Sequence, residues 1–216
     1  MKIVLALLLL VLPWRLRRLV LQACFGYDLD PQSSVGFSIV LAKKVVLKDR
    51  SRIGHLTVIR GLDELRLSTN SRIGNLNWIT GFPSSADGSG RRSALLIEEH
   101  AAITHRHLLD CSDSVVIGKF STVAGWNSQF ITHSIDLNIA RQTAKPIRIG
   151  KYCFVGSRSI LVKGAELPDY SVLAAGGVLT EKFTESYCIY GGVPARKVGE
   201  LPEEAKYFGR NVGYIN

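Results

Sequence analysis

A six-residue period governs most of this 216-residue chain and excludes most other folds. The clearest tract has an aliphatic residue at every sixth position, namely Ile149, Val155, Leu161, Leu167, Leu173 and Leu179. A period of six residues matches neither the 3.6-residue period of a helix face nor the two-residue alternation of a strand. The spacing therefore predicts a solenoid in which each hexapeptide forms one side of a prism and points its aliphatic residue inward.

Weaker copies of the period lie upstream, at Ile53, Ile59, Ile73, Ile103, Leu109, Ile117 and Val123. Small residues are predicted beside the inward positions, at Cys153, Ser159, Ala165, Ser171 and Gly177. The register also places Gln129 on an inward position, just before His133. Glycines that follow the aliphatic residues are expected at corners, where a positive φ is useful.

The period is interrupted twice, near residues 81–93 and 134–146, and both interruptions are predicted to be loops that leave the prism. It ends near Val198, and residues 200–208 are predicted to form a short helix. The chain thus divides into an N-terminal segment (1–30), a repeat domain (31–198) and a C-terminal tail (199–216).

The N-terminal segment is apolar from Ile3 to Leu12 and continues with Pro13, Trp14 and arginines at 15, 17 and 18. A ten-residue helix is about 15 Å long, half the thickness of a bilayer core. Residues 1–21 are therefore predicted to form a bent helical anchor on the cytoplasmic face of the cell membrane, with the arginines near anionic lipid. A helix packed on its own domain and a signal peptide are the alternatives.

Composition narrows the function classes. Apolar residues make up 46% of the chain, which excludes a disordered protein. The four cysteines form no CxxC pair, so buried free thiols are expected rather than disulfides. The net charge of +9 favours anionic partners, but no nucleic-acid-binding module is recognisable and nucleic acid is not predicted.

The repeat tract and the closing Gly191-Gly192-Val193-Pro194-Ala195-Arg196-Lys197-Val198 resemble the hexapeptide-repeat acyltransferases. The resemblance spans roughly residues 31–198 and is strongest to bacterial sugar O-acetyltransferases of surface-polysaccharide synthesis. It implies a mainly-β, left-handed parallel β-helix and a homotrimer whose acyl-CoA sites lie between neighbouring prisms. Left-handed crossovers depart from the usual rule, so only the resemblance implies the hand.

The implied function is that of an acetyl-CoA-dependent O-acetyltransferase that acts on a sugar of a surface polysaccharide or of a lipid-linked glycan. A membrane anchor would hold enzyme and acceptor on one surface. Two alternatives remain: a non-catalytic scaffold of a membrane-associated biosynthetic complex, and an N-acyltransferase on the same fold.

His133 lies where the period stops, and the resemblance places a catalytic histidine at such a loop. It is predicted to be the general base that takes a proton from a sugar hydroxyl. Asp136 is predicted to orient the imidazole. Asn127, Ser128 or a backbone N–H could bind the oxyanion.

Four further residues are predicted to contact the acceptor. His105 and His107 are two apart on a predicted strand, so both are expected to point outward into one cleft. His107, with Asp110 nearby, is predicted to line the acceptor pocket. Trp126 and Asn127 are predicted to face outward as a platform for substrate.

The resemblance also implies residues that bind the acyl donor. Ser157 and Ala175 correspond to backbone positions along the pantetheine arm. Thr180 and Lys182 correspond to a Thr-Lys turn, here interrupted by Glu181, and Arg196 and Lys197 to a basic signature beside the CoA phosphates.

A metal site is weighed as well, because some left-handed β-helix proteins are zinc carbonic anhydrases with three histidine ligands. His100 and His105 have a suitable spacing, but His55 is the only upstream candidate and lies in a weak repeat. No metal is expected.

Overall fold

The computed structural model describes residues 2–82 and 90–213. Within them, short parallel strands stack coil upon coil into three faces of a prism. The predicted mainly-β parallel β-helix with an N-terminal helical segment is confirmed. We number the faces in the order in which the chain crosses them. The first corner is the turn between faces one and two, the second corner lies between faces two and three, and the third corner lies between faces three and one.

The strands of the first face are β1 (Asp28–Leu29), the last halves of β3 (Ile39–Leu47) and β5 (Val58–Leu67), β8 (Ala94–Ile97), β11 (Val115–Ile117), β16 (Ile147–Ile149) and β19 (Glu166–Leu167). Those of the second face are β2 (Ser34–Val35), β4 (Arg52–Ile53), β6 (Arg72–Ile73), β9 (Ala102–His105), β12 (Thr122–Trp126), β17 (Phe154–Val155), β20 (Val172–Leu173), β22 (Cys188–Gly191) and the antiparallel β23 (Arg196–Glu200).

Those of the third face are the first halves of β3 and β5, β7 (Trp78–Thr80), β10 (Leu108–Asp110), β13 (Gln129–Ile131), β18 (Ile160–Val162) and β21 (Val178–Leu179). The excursion at 134–146 leaves the prism at the third corner as an antiparallel hairpin of β14 (His133–Asp136) and β15 (Arg141–Ala144). The other excursion leaves at the same corner, but its residues 83–89 lie outside the described part of the chain.

The core consists of three columns of inward side chains, one for each face. The first is Leu29, Leu47, Leu67, Ile97, Ile117, Ile149 and Leu167. The second is Val35, Ile53, Ile73, Ile103, Val123, Val155, Leu173 and Tyr190. The third is Val40, Ile59, Ile79, Leu109, Phe130, Leu161 and Leu179. Close packing of these columns accounts for the aliphatic period.

The inward position predicted for Gln129 is instead occupied by Phe130, which is fully buried, while Gln129 is exposed. The register slips between Val123 and Trp126, where Gly125 adopts a φ of +67°. This extra residue makes the step to the next inward position seven residues long, so a strict count of six points to the wrong neighbour.

The predicted reason for several glycines is also wrong. Gly118 and Gly150 follow inward residues but do not have a positive φ. A Cβ atom on Gly118 would lie 2.5 Å from the carbonyl group of Gly150 in the next coil, and one on Gly150 would lie 2.5 Å from the backbone nitrogen of Asp169. Glycine is needed there because neighbouring coils approach too closely for a side chain.

The positive φ values at the first corner belong mainly to larger residues. Five of them form a continuous ring stack, His100, Phe120, Tyr152, Tyr170 and Tyr187, with centroids 4.7 to 5.5 Å apart. Stacking of about 0.5–1.5 kcal/mol per pair offsets the cost of the left-handed backbone.

The C-terminal tail crosses this ring stack. Tyr207 donates a hydrogen bond to the carbonyl of Cys153, and Tyr152 donates one to the carbonyl of Arg210. Its residues form turns rather than the short helix predicted for 200–208. The tail is held by hydrogen bonds to the prism, such as those of Tyr207 and Tyr152, instead of by the internal hydrogen bonds of a helix.

The N-terminal segment is bent at Pro13, as predicted, and closes the end of the prism. Helix α1 (Lys2–Leu8), a 3-10 turn (Leu9–Val11) and helix α2 (Trp14–Phe25) bury Leu9 and Leu21 against the first coil. No helix among the described residues is long and apolar enough to span a bilayer.

One arginine of this segment is buried, contrary to the prediction that all three lie at the surface. Arg17 is buried, and its guanidinium donates hydrogen bonds to the carbonyls of Val35 and Gly36. Burial also lowers the pKa of Arg17. The four cysteines are free thiols; Cys111, Cys153 and Cys188 are buried as predicted, whereas Cys24 is exposed.

Candidate active site

His133 and Asp110 form a hydrogen-bonded pair at the third corner. Asp110 ends β10 and lies opposite Ile131 in the neighbouring β13, two residues before His133. Its Oδ2 atom is 2.6 Å from Nδ1 of His133. The parallel register of the coils thus joins two residues that are 23 positions apart in the sequence.

The Asp110 carboxylate is held by several further donors. Ser112 Oγ donates to Oδ1 at 2.6 Å, while the backbone N–H of Thr132 and the Thr132 hydroxyl both donate to Oδ2 at 3.0 Å. Burial alone would raise the pKa of Asp110, but the hydrogen bonds from Ser112, His133 and Thr132 outweigh it and hold the pKa below its ordinary value. A carboxylate ionised in this way accepts the Nδ1–H of His133 and fixes the tautomer that leaves Nε2 as the proton acceptor.

Nε2 of His133 has no hydrogen-bond partner within residues 2–82 and 90–213. The His133 side chain is 34% exposed and faces a cleft of about 620 Å³. Both excursions from the third corner contribute to the walls of this cleft. Its lining residues are Phe82, Gly90, Arg91, Arg92, Ser112, Asp113, Ser114, His133, Gln142, Thr143, Ala144, Pro146 and Arg148.

Asp136 does not make the contact predicted for it. It lies at the far end of β14, opposite Arg141, and its Oδ1 accepts the backbone N–H of Asn138. The hairpin carries Asp136 away from the prism, so Asp110 of the preceding coil takes its place beside His133.

The prediction that His105 and His107 share an outward face is also wrong. His107 is only 1% exposed, and Nδ1 accepts the N–H of Ser128 while Nε2 contacts the Thr104 hydroxyl. Burial, together with the neighbouring His105, lowers the pKa of His107 to about 4. His107 is therefore a neutral interior residue that cannot line an acceptor pocket in this conformation.

Several predicted residues lie on the second corner, away from His133. Trp126 is exposed as predicted, with the Arg106 guanidinium 5.1 Å from its ring centre. Asn127, Ser157 and Ala175 follow along the same corner. Ser128 is buried and its hydroxyl donates to the carbonyl of Gly156, so it cannot bind an oxyanion at His133.

The basic residues predicted to bind CoA phosphates are all paired with surface carboxylates. Lys182 lies 2.7 Å from Glu166, Arg196 3.0 Å from Glu181, and Lys197 2.8 Å from Glu200. Thr180 is exposed beside this group, at the end of the third face. Ion pairs between exposed side chains are weak, so these cations remain available to a polyphosphate.

The histidines weighed as metal ligands have structural partners. His55 Nδ1 accepts the N–H of Phe37, His105 Nδ1 accepts the N–H of Asn75, and His100 stacks on Phe120. Within the described ranges, no three His, Cys, Asp or Glu side chains group together in a way that could hold a metal ion.

Sequence reasoning did not identify Ser112, Thr132, Arg91 or Arg148 as parts of the site. The register between neighbouring coils is the feature that could have identified Thr132. Leu109 and Phe130 are neighbours in one inward column, and this pairing brings Asp110 beside Thr132. That signal was hidden because the chain slips out of the six-residue period between Leu109 and Ile117 and again at Gly125.

Comparison with known proteins agrees with this architecture. A family model for the hexapeptide repeat of succinyl-transferase matches residues 146–181, the most regular part of the repeat. Among curated protein sequences, none matches the chain significantly. The matched residues form C-terminal coils of the three-sided β-helix.

The solved structures similar to it include acyltransferases. The polysialic acid O-acetyltransferase OatWY is 16% identical, with a TM-score of 0.60 over 84% of this chain and 90% of that one. A mutant of the Bacillus cereus N-acyltransferase AntD, in complex with dTDP-4-amino-4,6-dideoxyglucose and coenzyme A, is 15% identical, with a TM-score of 0.60 over 76% and 84%. A B. cereus acetyltransferase described as putative is 16% identical, with a TM-score of 0.51 over 82% and 80%.

Proposed function

We propose that this protein is an acetyl-CoA-dependent O-acetyltransferase that acts on a sugar of a surface polysaccharide or of a lipid-linked glycan. The observation that carries the proposal is the Asp110–His133 pair, in which the carboxylate holds Nδ1 and the partly exposed imidazole lines an open cleft. A general base needs this arrangement: an oriented ring and a free nitrogen within reach of the substrate.

In the proposed reaction, Nε2 of His133 takes the proton of a sugar hydroxyl while that oxygen attacks the thioester carbonyl of acetyl-CoA. Asp110 stabilises the imidazolium through Nδ1–H. Collapse of the tetrahedral intermediate breaks the C–S bond, and the imidazolium returns the proton to the CoA thiolate. The products are the acetylated sugar and CoA, and His133 is neutral again.

The acyl donor is assigned to CoA because AntD, with the same fold, binds coenzyme A. In this chain, Lys182, Arg196 and Lys197 supply positive charge at the C-terminal coils for the CoA phosphates. Ser157 and Ala175, with Trp126 and Asn127, lie on the second corner, one corner away from His133. A single chain therefore does not assemble the whole site.

A homotrimer would complete the site by setting the second corner of one prism against the third corner of the next. An exposed apolar surface supports this assembly. Trp78 and Leu108 are neighbours in register on the third face and are 48% and 44% exposed. Leu56 and Leu76 continue the surface on the second corner, both exposed and with positive φ. Apolar patches of this kind mark interaction surfaces.

Attachment to the membrane surface is proposed for the N-terminal segment. Although Leu9 and Leu21 are buried, Val4, Leu8, Val11, Leu16 and Leu19 are exposed along the outer side of α1, the 3-10 turn and α2. This apolar surface, with the exposed Arg15 beside it, suits the boundary between headgroups and acyl chains on the cytoplasmic side. An acceptor linked to lipid would then be within reach of the same surface.

The assignment of the base is tested by His133→Ala, with His100→Ala at the first corner as the matched histidine control. Acetyl transfer is expected to fall by about 10²–10⁴-fold in His133→Ala, with acetyl-CoA binding and thermal stability retained. Asp110→Asn, which removes the charge beside Nδ1, is expected to lower kcat at least about tenfold with little effect on the KM for acetyl-CoA. A near-normal kcat in His133→Ala would exclude this base.

AntD favours a second candidate, N-acyl transfer to an amino sugar, at the same TM-score as OatWY. Amino sugars and the corresponding hydroxyl sugars, compared as acceptors, distinguish the two. Failure to bind acetyl-CoA at all would instead support a non-catalytic scaffold.

A further inference from the structure

The second face carries two cations near the N-terminal end of the prism. Arg52 and Arg72 occupy equivalent positions on β4 and β6, where they are neighbours in register. Both residues are exposed, and neither guanidinium has an ion pair or a hydrogen-bond partner among residues 2–82 and 90–213. The described fold therefore does not neutralise the charge of these two arginines.

A cavity of about 410 Å³ is lined by both arginines and by Arg50 at the first corner. Its other polar lining residues include Asn70 and His100, and none of the described lining residues is a carboxylate. Arg50 is engaged only at long range, since its Nε atom is 3.5 Å from Asp49 and 3.4 Å from Gln32. Three guanidinium groups are thus available at one concave site.

The second face offers little negative charge to balance these arginines. Its parallel strands, from β2 to β22, contain no Asp or Glu. On the neighbouring first face, the Asp28 carboxylate is 3.0 Å from Lys48 and is engaged there. The first coils of the second face therefore present a positive surface that suits an anionic partner.

This positive surface lies beside the N-terminal segment, because α2 packs along β2. Trp14 Nε1 donates a 2.7 Å hydrogen bond to the carbonyl of Ser33, at the start of β2. Arg17 donates to the carbonyls of Val35 and Gly36 at its end. Since β4 and β6 follow β2 in the same sheet, their arginines lie about 5 and 10 Å beyond the strand that the helix covers.

This distance keeps the arginines within reach of a membrane on which α2 lies. An anionic surface attracts charges over about 8–10 Å at physiological salt. A long arginine side chain can also extend its charged group toward lipid headgroups while its backbone stays behind. The cavity and the apolar outer surface of the helices can therefore contact one bilayer together.

We propose that Arg50, Arg52 and Arg72 bind the phosphate groups of anionic phospholipids while the outer surface of α1 and α2 enters the bilayer boundary. The inference rests on the proposed membrane attachment and adds its lipid class and a second contact region. Guanidinium groups suit phosphate because they donate two parallel hydrogen bonds to its oxygens. Apolar burial alone does not distinguish neutral from anionic lipid, so the arginines would supply that selectivity.

Flotation with phosphatidylcholine vesicles, with and without phosphatidylglycerol, tests the proposal. The wild type is expected to bind the phosphatidylglycerol vesicles at least about 30-fold more tightly, and added salt should reduce this preference. Arg52→Gln combined with Arg72→Gln is expected to weaken binding to these vesicles about 25-fold, about fivefold for each arginine. Binding to phosphatidylcholine alone should not change.

Arg141→Gln combined with Arg158→Gln is the matched control. These arginines of later coils are also exposed and have no side-chain partner among the described residues, so the control loses the same charge far from the N-terminal segment. It is expected to float like the wild type. Equal weakening of binding in both double variants would assign the effect to net charge and overturn the proposal.

Other outcomes would overturn the arginine site but leave attachment through the apolar helices. They are equal affinity of the wild type for both vesicles, and unchanged binding by the Arg52/Arg72 variant. Release from the vesicles by inorganic phosphate, but not by sodium chloride of equal ionic strength, would assign the cavity to a soluble anion instead.

The failure of the wider proposals would look different. No flotation of the wild type would contradict membrane attachment itself, and with it the lipid site. Acetyl transfer to a soluble acceptor, measured on the same samples, is expected to be equal in the wild type and the Arg52/Arg72 variant. Its absence from the wild type would contradict the acetyltransferase function, whatever the vesicles show.

Discussion

Histidine has opposite environments at two positions of this β-helix, and the coil register decides which. His107 occupies the small interior position next to the second corner that Asn77 fills one coil earlier and Ser128 one coil later. It is buried, and both ring nitrogens have partners. His133 lies beyond the third face, where the chain leaves the prism, and keeps one nitrogen open to the cleft. Only the second environment leaves a nitrogen available for proton transfer.

The buried imidazole makes stability depend on pH. His107 titrates near 6.5 in the unfolded chain, but burial lowers its pKa to about 4 in the fold. Between these values the unfolded chain binds a proton that the folded chain does not, so the free energy of unfolding falls as the pH decreases from 6.5 to 4. The loss is on the order of 3 kcal/mol and is absent above pH 6.5.

Urea denaturation at pH 7.5, 5.5 and 4.5 measures this loss in the wild type and in His107→Asn, which has the residue type of the preceding coil. The variant is expected to lack this part of the pH dependence, whatever its stability at pH 7.5. Asp110 titrates in both proteins and cancels in the comparison. Parallel pH profiles for the two proteins would show that His107 is not the group responsible.

At the residue scale, sequence reasoning placed His133 at the end of the regular period but gave it the wrong carboxylate partner, and its role as the base stays a prediction. His133 could be predicted because it ends a regular period, which is a local signal. Asp110 could not be predicted, because its contact depends on which coil lies against which. That register includes the seven-residue step at Gly125 and the irregular segment after Leu109.

At the scale of elements, the six-residue period predicted the inward aliphatic residues, because one such residue per side is enough to fill a narrow prism, but it did not give the number of sides. It did not predict the long strands β3 and β5, which run continuously across the third corner and also bury Leu62 and Leu65. It also could not show that positions such as Gly118 require glycine because the neighbouring coil lies too close for a side chain, and not because of a positive φ. Both features arise from contacts between coils.

The N-terminal element closes the prism and presents an apolar outer surface, so the membrane attachment proposed for it is best tested without removing it. Val11 and Leu16 are 82% and 54% exposed, and a double change to Glu leaves the buried Leu9, Arg17 and Leu21 in place. The double variant is expected to lose flotation with vesicles containing phosphatidylglycerol, since carboxylates oppose both insertion and the anionic surface.

Val193→Glu, at an exposed apolar position near the opposite end of the prism, is the matched control and is expected to float like the wild type. Equal flotation of the Val11/Leu16 variant, or no flotation of the wild type, would contradict the membrane proposal. Either result would leave the helices as a cap of the first coil, which their buried contacts already establish.

At the scale of the whole molecule, the three corners have different contents. The first is covered by the C-terminal tail, the second carries Trp126 and Ser157, and the third carries His133 and its cleft. A solitary prism keeps the proposed donor and acceptor sites on separate corners. If the second corner of one copy meets the third corner of another in the proposed trimer, the donor and acceptor sites come together. The proposed assembly would then be required for the reaction.

This link gives the last prediction. Leu76→Glu combined with Leu108→Glu places two carboxylates in the exposed apolar surface of the second corner and third face. The wild type is expected to sediment as a trimer of 23.8 kDa chains and the variant as a monomer, because buried carboxylates without partners oppose association. The inward columns are untouched, so the β-sheet circular dichroism should remain.

Acetyl transfer by the monomeric variant is expected to fall at least about 100-fold even though Asp110 and His133 are unchanged, since binding of the donor across two chains supplies much of the orientation. Val212→Glu, at an exposed apolar position of the C-terminal tail, serves as the control and should remain trimeric and active. A wild-type monomer with full activity, or a monomeric variant that transfers acetyl groups normally, would mean that one chain completes the site alone. Partial activity that rises with protein concentration would instead follow the association equilibrium and support a shared site.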